Sequence, residues 1–285
     1  MTRALASIAL AAALVTVQEP APQVFRSATH AVAVDVAVFE GSRVVTGLGV
    51  QDFELRDNGV VQTITTADFH TLPIDLRLVF DTSGSISDAD LALYLNAMRK
   101  VAGSLEPRDR CEIITFNARF AQAATRQSPP ITVALQREGP EGTSFFDAVS
   151  LAMVTEPTTD RRQITIVLSD ARDNMSFFDE TTLLETARRT DAVVYTILPG
   201  DPTRSRAVSV SRLQAIALLT GGRLVRTHET AVGEAVIDAI EEFRQSYMLR
   251  YMLNGVPIQG WHKLEVKIRG GGWFRVRMRL GYFGR

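Results

Sequence analysis

Residues 76–91 read LRLVFDTSGSISDADL, and this stretch sets the fold class that the rest of the sequence must satisfy. An apolar run ends at Asp81, and a loop rich in Ser and Gly then leads into a helical pattern. Ser87, with Asp90 three residues later, predicts a capping box at the start of that helix. The stretch therefore predicts a buried strand, a tight loop and a helix, with Asp81 at the carboxyl end of the strand.

The same alternation extends over residues 72–245. Strand patterns alternate there with amphipathic helical patterns, which predicts an α/β domain with a doubly wound, mostly parallel sheet. The predicted strands are DLRLVF, RCEIITF, QITIVLS, AVVYTIL and GRLVRT, with AQAATR as an additional edge strand. The predicted helices cover residues 89–105, 145–155, 180–190, 210–219 and 231–244.

The two ends of the chain have a different pattern, alternating and β-branched, without helical periodicity. Asn58-Gly59 predicts a tight hairpin turn in the first of them. Each end alone offers about three strands, which is few for an independent core. We therefore expect the N-terminal segment, 24–71, and the C-terminal segment, 246–285, to pair in one small β-sandwich into which the α/β domain is inserted.

The first residues predict export. Arg3 precedes an uncharged apolar stretch over 4–17, and a Pro-rich polar segment follows. This is the pattern of a secretory signal peptide, assigned here to residues 1–20. The stretch is shorter than the ~20 residues of a spanning helix, so an uncleaved anchor is the weaker alternative. The mature protein is expected to have no membrane span and to be periplasmic or extracellular.

Composition narrows the classes of partner. The 285 residues are 46% hydrophobic and 22% charged, with a formal net charge of -1 and no block rich in Lys or Arg. These values are typical of a globular protein and argue against a nucleic-acid surface or a polybasic membrane patch. The single cysteine, Cys111, excludes an intramolecular disulfide. Proteins, small molecules and ions remain as partners.

Two catalytic interpretations of Asp81 lack the residues they need. An aspartic protease requires a second Asp-Thr/Ser-Gly loop, and the sequence has none. A phosphate-accepting aspartate requires a second acid two residues later and a nearby lysine. Position 83 is Ser, and Lys100 is the only lysine of residues 72–245. The sequence also has no P-loop, GxGxxG, GxSxG or HExxH motif, so nothing in it proposes an enzyme.

A metal site is the third interpretation. Ligands of open α/β sheets bind outside the carboxyl ends of the strands. Asp81 and Asp170 both lie at such ends, and Thr143 lies in a loop just before a helix. These positions converge on one edge if their strands are neighbours. Hydroxyls that merely cap the helix would account for Ser85 or Ser87 but not for Thr143 and Asp170.

The pattern Asp81-x-Ser83-x-Ser85 resembles the metal-ion-dependent adhesion site (MIDAS) of von Willebrand factor type A domains. The resemblance covers about residues 74–244, and the β-rich ends are similar to those of bacterial exported proteins related to this domain. It implies five metal ligands, in the family's order along the chain: Asp81, Ser83, Ser85, Thr143 and Asp170. Glu141 and Ala171 depart from the pattern, but neither is at a ligand position.

The expected ion is Mg²⁺, or else Mn²⁺ or Ca²⁺, because hard divalent cations take oxygen ligands. Few direct charges would leave the ion electrophilic, which suits capture of a carboxylate. The predicted function is therefore non-catalytic, metal-dependent binding of a protein partner through an acidic side chain. Met175 and Phe177, in the loop after Asp170, are predicted to form an apolar rim around the ion. A structural scaffold without an exchangeable ligand is the main alternative, and a metal-dependent hydrolase is the weaker one.

Overall fold

The computed structural model describes residues 31–69, 71–84, 86–131, 141–154, 160–200 and 207–284. The predicted signal peptide and Ser85 of the predicted metal site lie outside these ranges. So do residues 24–30, His70 and Arg285 of the two predicted β segments.

The N-terminal segment forms antiparallel strands, as its alternating pattern predicted. They are β1 (Ala31–Glu40), β2 (Arg43–Val44), β3 (Phe53–Asp57), β4 (Val60–Gln62) and β5 (Ile64–Phe69), with a short 3-10 helix at Val50–Asp52. Asn58 and Gly59, between β3 and β4, have φ values of 46° and 81°. Both values are positive, as a two-residue type I′ hairpin turn requires, so the predicted turn is confirmed.

The middle of the chain alternates strands and helices. Its strands are β6 (Ile74–Asp81), β7 (Arg110–Phe116), β8 (Phe120–Gln127), β9 (Arg162–Leu168), β10 (Val193–Pro199) and β11 (Leu224–Thr227). Its helices are α1 (Asp88–Ser104), α2 (Phe145–Met153), α3 (Glu180–Arg189), α4 (Ala207–Thr220) and α5 (Val232–Arg244). At the start of α1, Ser87 and Asp90 form the predicted capping box.

These six strands form one sheet in the order β11-β10-β9-β6-β7-β8. All neighbours are parallel except β7 and β8, so the predicted doubly wound, mostly parallel sheet is confirmed. β6 lies near the centre and is apolar on both faces. Leu78 packs in the cluster that contains residues of α1 and α5, whereas its neighbour Val79 packs in the cluster with α2, α3 and α4. A strand covered on both sides is a continuous apolar run, which explains the sequence LRLVF.

The C-terminal segment adds four strands: β12 (Tyr247–Met252), β13 (Gly260–Ile268), β14 (Phe274–Met278) and β15 (Gly281–Gly284). They interleave with the N-terminal strands in two sheets, β14-β1-β12-β5 with β2 beside β1, and β15-β13-β3-β4. Val34 of β1 lies opposite Leu249 of β12, and Leu55 of β3 lies opposite Val266 of β13. All four side chains belong to one apolar cluster, so the two ends of the chain share a core.

The strands β1–β5 and β12–β15 form a β unit, and β6–β11 with α1–α5 form an α/β unit. Charged side chains join the two units. Arg162 at the start of β9 is almost completely buried, and its Nε and Nη2 lie 2.7 and 2.6 Å from Oδ1 of Asp35 in β1. Arg277 of β14 donates to the hydroxyl of Tyr195 in β10 at 3.2 Å.

None of the helices in the described part of the chain is long and apolar enough for a membrane span.

Candidate functional site

Asp81 ends β6, the strand that lies between β7 and β9 in the central sheet. Its side chain is fully buried. The backbone N–H of Ser83 donates to Oδ1 at 2.9 Å, and the hydroxyl of Ser169 donates to Oδ2 at 2.8 Å. The N–H of Thr82 donates to the carbonyl of Phe116 at 2.8 Å and fixes the loop against the end of β7. The carboxylate is therefore held rigidly at the carboxyl edge of the sheet.

Burial raises the pKa of Asp81, and repulsion from the nearby Asp170 carboxylate adds to the rise, while hydrogen bonds from Ser83 and Ser169 oppose it. A buried carboxylate beside a second carboxylate is costly unless a cation neutralises it. The two aspartates thus create an electrostatic environment that a divalent cation would stabilise.

Thr143 lies in a loop that crosses the end of β6. The N–H of Ser144 donates to the carbonyl of Asn117, after β7, at 2.7 Å. On the other side, the N–H of Thr143 donates to Oδ1 of Asn174 at 2.8 Å, and the N–H of Asn174 donates to the carbonyl of Thr143 at 3.0 Å. Asn174 follows β9. Because β6 lies between β7 and β9, these bonds place Thr143 at the same edge as Asp81.

Gly142, just before Thr143, has a backbone conformation that favours glycine. Its φ is +127°, and a Cβ atom there would lie 2.5 Å from Cγ of Met175. A larger residue would therefore be strained by the backbone conformation and would require the half-exposed Met175 side chain to move. The Gly-Thr pair therefore has a steric reason, independent of any metal.

Asp170 follows Ser169 at the end of β9, and its carboxylate is bound from outside by Arg172. Nε of Arg172 lies 2.8 Å from Oδ2, and the N–H of Arg172 donates to Oδ1 at 3.1 Å. Ala171 between them is fully buried with a φ of 55°, a left-handed conformation that favours glycine. The conformation would suit glycine better than the alanine that this sequence has there.

The loop after Asp170 presents apolar side chains to solvent. Met175 is 52% exposed, Phe177 98% and Phe178 48%. The N–H groups of Phe177 and Phe178 donate to the two oxygens of Asp147 at 3.0 and 2.9 Å. Asp147 lies in the first turn of α2, so the exposed rings sit on a loop that is fixed to that helix.

A second aspartate fixes the same loop. Asp173 accepts a hydrogen bond from the N–H of Phe146 in α2 at 2.9 Å and one from the hydroxyl of Ser176 at 2.6 Å. The hydroxyl of Ser176 accepts in turn from the N–H of Asp147 at 3.1 Å. These clamps were not predicted from the sequence. Their signal there is the polar stretch ARDNMS, in which Asp173 and Ser176 are half-buried against α2 while Arg172 and Asn174 stay exposed.

The structure thus places four of the five predicted ligands, Asp81, Ser83, Thr143 and Asp170, at one edge of the sheet; Ser85 lies outside the described residues. It adds Ser169 and Asn174, which position Asp81 and Thr143. Ser169 could have been found, since it directly precedes Asp170 and points from the same strand end.

Within the described residues, no three His, Cys, Asp or Glu side chains form a metal-binding group. The donor set at this edge is different, two carboxylates with hydroxyls, and it fits a hard divalent cation.

The sequence matches one protein-family profile. The profile of the von Willebrand factor type A domain matches residues 75–232. The comparison with curated proteins found no match. A solved structure of BatB from Bacteroides thetaiotaomicron is similar at 15% identity and a TM-score of 0.47, covering 60% of this chain and 98% of that one.

Two further solved structures are similar over more of the chain. The ArnB paralog VWA2 from Sulfolobus acidocaldarius shows 10% identity and a TM-score of 0.48, covering 88% of this chain and 75% of that one. Manganese-loaded TRAP protein from Plasmodium vivax shows 13% identity and a TM-score of 0.45, covering 80% and 97%.

Proposed function

This chain belongs to the von Willebrand factor type A domain family, and from that premise we propose that it is a non-catalytic module that binds protein partners through a divalent metal ion. Such domains generally serve interaction rather than catalysis. Asp81, Ser83, Ser85, Thr143 and Asp170 would hold the ion, which is Mg²⁺, or Mn²⁺ or Ca²⁺ in its place. When bound, the ion supplies an electrophilic position for an oxygen of the partner.

The observation that carries this proposal is the environment of Asp81. Its carboxylate is fully buried, close to a second carboxylate, and its bonded partners are the neutral donors Ser83 and Ser169. An enclosed negative charge of this kind is unfavourable in the metal-free protein and favourable beside a cation. Thr143 adds a hydroxyl at the same edge.

The partner is expected to offer an acidic side chain, because a metal bound by few charged ligands retains affinity for a carboxylate. Beside the site, the exposed side chains of Met175 and Phe177 provide an apolar contact area. Interface hot spots combine a charged anchor with an apolar patch that loses its water when the partner binds. The binding surface is therefore the site together with this rim.

The module is exported and is carried by a domain that both ends of the chain form. The apolar leader over residues 1–20 supports export to the periplasm or the extracellular space. The shared core of the two terminal segments supports one β-sandwich that carries the metal-binding domain. An exported module with an exposed metal site would serve adhesion or assembly outside the cytoplasm.

Replacing Asp81 with Asn tests the metal site directly. In the presence of chelator, Asp81→Asn should melt no earlier than wild type, because an uncompensated buried charge is removed. Calorimetric titration with Mg²⁺, Mn²⁺ and Ca²⁺ should show one site in wild type and none in the variant. Asp238→Asn, an exposed aspartate of α5, is the matched control and should bind as wild type does. Equal binding by Asp81→Asn would refute the site.

A capture experiment from the native envelope, with and without chelator, tests the function. Proteins retained with Mg²⁺, lost with chelator and lost with Asp81→Asn are the expected result. Metal binding without any metal-dependent capture would favour the scaffold alternative, in which the ion is held without an exchangeable ligand. Turnover of a captured protein or of a phosphoester would favour the hydrolase alternative.

A further inference from the structure

A cavity of about 360 Å³ lies between the β unit and the α/β unit, far along β9 from the metal site. Arg162 begins β9 and lines this cavity, whereas Asp170 follows the other end of the strand. Strands β1, β12 and β15 supply most of the remaining wall. The volume falls in the range of small-molecule sites, and positions between structural units are common for them.

Arg279 is the unusual residue of the wall. It is 9% exposed, and its Nε donates to the carbonyl of Gly281 at 2.7 Å while Nη2 donates to the carbonyls of Thr190 and Arg188 at 2.9 and 3.4 Å. In the part of the chain that the structure describes, no carboxylate forms an ion pair with it. Burial lowers the pKa of Arg279, and the more distant Asp191 and Asp35 only partly oppose this. Its hydrogen bonds are to neutral groups, so its charge lacks a counterion at contact distance.

The three other arginines of the wall each have a carboxylate. Arg162 pairs with Asp35, Arg161 with Asp75, and Arg250 with Asp68. In each pair the carboxylate neutralises the positive charge of the arginine. Arg279 is therefore the group in the wall whose charge an incoming anion would neutralise, and a buried unpaired charge makes that gain large.

The rest of the wall indicates what kind of anion fits. Apolar side chains line it, namely Val32, Met248, Leu253 and Ile258. Asp191 also lines it and would repel a second negative charge, while the charge of Asp35 is balanced by Arg162. A dianion such as phosphate is thereby disfavoured, while a single carboxylate on an aliphatic chain matches both the lone guanidinium and the apolar surface.

We propose that this cavity is a second binding site, specific for small aliphatic monocarboxylates, with Arg279 binding the carboxylate. The ligand would contact both units at once, since Arg279 belongs to the segment before β15 and Arg162 to β9. Occupancy would then stabilise the packing of the β unit against the α/β unit. The site does not depend on the metal.

The test uses the full chain and hexanoate, with hexanamide as the neutral ligand of similar shape. Hexanoate should raise the melting temperature with concentration, as any ligand of the folded state does, and calorimetry should give one site. Hexanamide should do neither. Arg279→Gln should weaken hexanoate binding at least about tenfold, because a hydrogen bond to a charged partner is lost.

A second variant keeps Arg279 and fills part of the cavity. Ala33 of β1 is exposed to solvent and lines the cavity, so Ala33→Leu should fold and should block hexanoate. Ala121→Leu, at an exposed position of β8, is its control. Unchanged binding by Ala33→Leu, or equal responses to hexanoate and hexanamide, would overturn the proposal even if Arg279→Gln does not fold. Asp81→Asn should bind hexanoate as wild type does, which separates this site from the metal site.

Discussion

Arg172 holds the carboxylate of Asp170, the outer of the two aspartates at the proposed metal site, through its side chain at 2.8 Å and its backbone N–H at 3.1 Å. Asp81, the inner one, is bonded by neutral groups. The guanidinium and a metal ion would therefore compete for Asp170. Since the Arg172 side chain is 53% exposed, the pair is solvated and its strength is modest.

Arg172→Ala should tighten the binding of Mg²⁺ by a factor of about 1.4 to 5, because an exposed ion pair is worth about 0.2–1 kcal/mol. Isothermal titration calorimetry at low and high salt measures the change, which should shrink as salt screens the pair. Arg188→Ala, which breaks an exposed pair with Glu185 on α3, removes the same charge elsewhere. The same tightening in that control would mean that net charge, not the contact with Asp170, is responsible.

Phe177→Ala should leave the melting temperature and the metal affinity unchanged, because the ring is 98% exposed. Capture of the partner should weaken by about 1 kcal/mol or more, the usual threshold of an important interface residue. Trp273, 97% exposed on the β unit, offers Trp273→Ala as a control that removes an equally exposed aromatic ring. An early-melting Phe177→Ala would show that the ring packs in the core and would remove the rim from the proposal.

Leu249→Ala should destabilise the protein by about 2–5 kcal/mol, the usual cost of such a change in a core. Leu249 is fully buried and lies opposite Val34 of the N-terminal segment. Hydrogen exchange should therefore accelerate in β1, at the far end of the chain. Exchange that stays slow in β1 would mean that the two terminal segments are stable independently.

Asp75→Asn should lower the free energy of unfolding at neutral pH by about 1.5–3 kcal/mol, the value of hydrogen bonds to a charged group. Burial raises the pKa of Asp75, but hydrogen bonds and attraction from Arg110 and Arg161 outweigh this and leave it below its ordinary value of 3.8. A carboxyl with a depressed pKa stabilises the fold above that ordinary value and loses the contribution as pH falls through the folded-state pKa.

The difference between wild type and Asp75→Asn should accordingly be constant near neutrality and shrink below pH 3.8. Urea unfolding at several pH values measures it. A difference independent of pH over the whole range would show that the charge of Asp75 contributes nothing and that only its shape matters.

The sequence by itself determined the parts of this protein that depend on neighbours along the chain. The apolar run before Asp81, the capping box of Ser87 and Asp90, and the turn at Asn58-Gly59 each reflect a local preference, and all are present in the structure. The alternation of these local elements was enough to predict the sheet and its helices, because a parallel strand needs a crossover helix.

Only the tertiary structure decided which residues from distant parts of the chain are in contact. Ser169 donates to Asp81, Arg172 covers Asp170, and the Thr143 loop is fixed between Asn117 and Asn174, although no local pattern specifies these pairs. They follow from the strand order, which sets β6 between β7 and β9 and brings distant loops to one edge. Arg279 and its cavity exist for the same reason: the two ends of the chain fold back on the α/β unit, and packing buries a charge that the sequence shows only as an arginine.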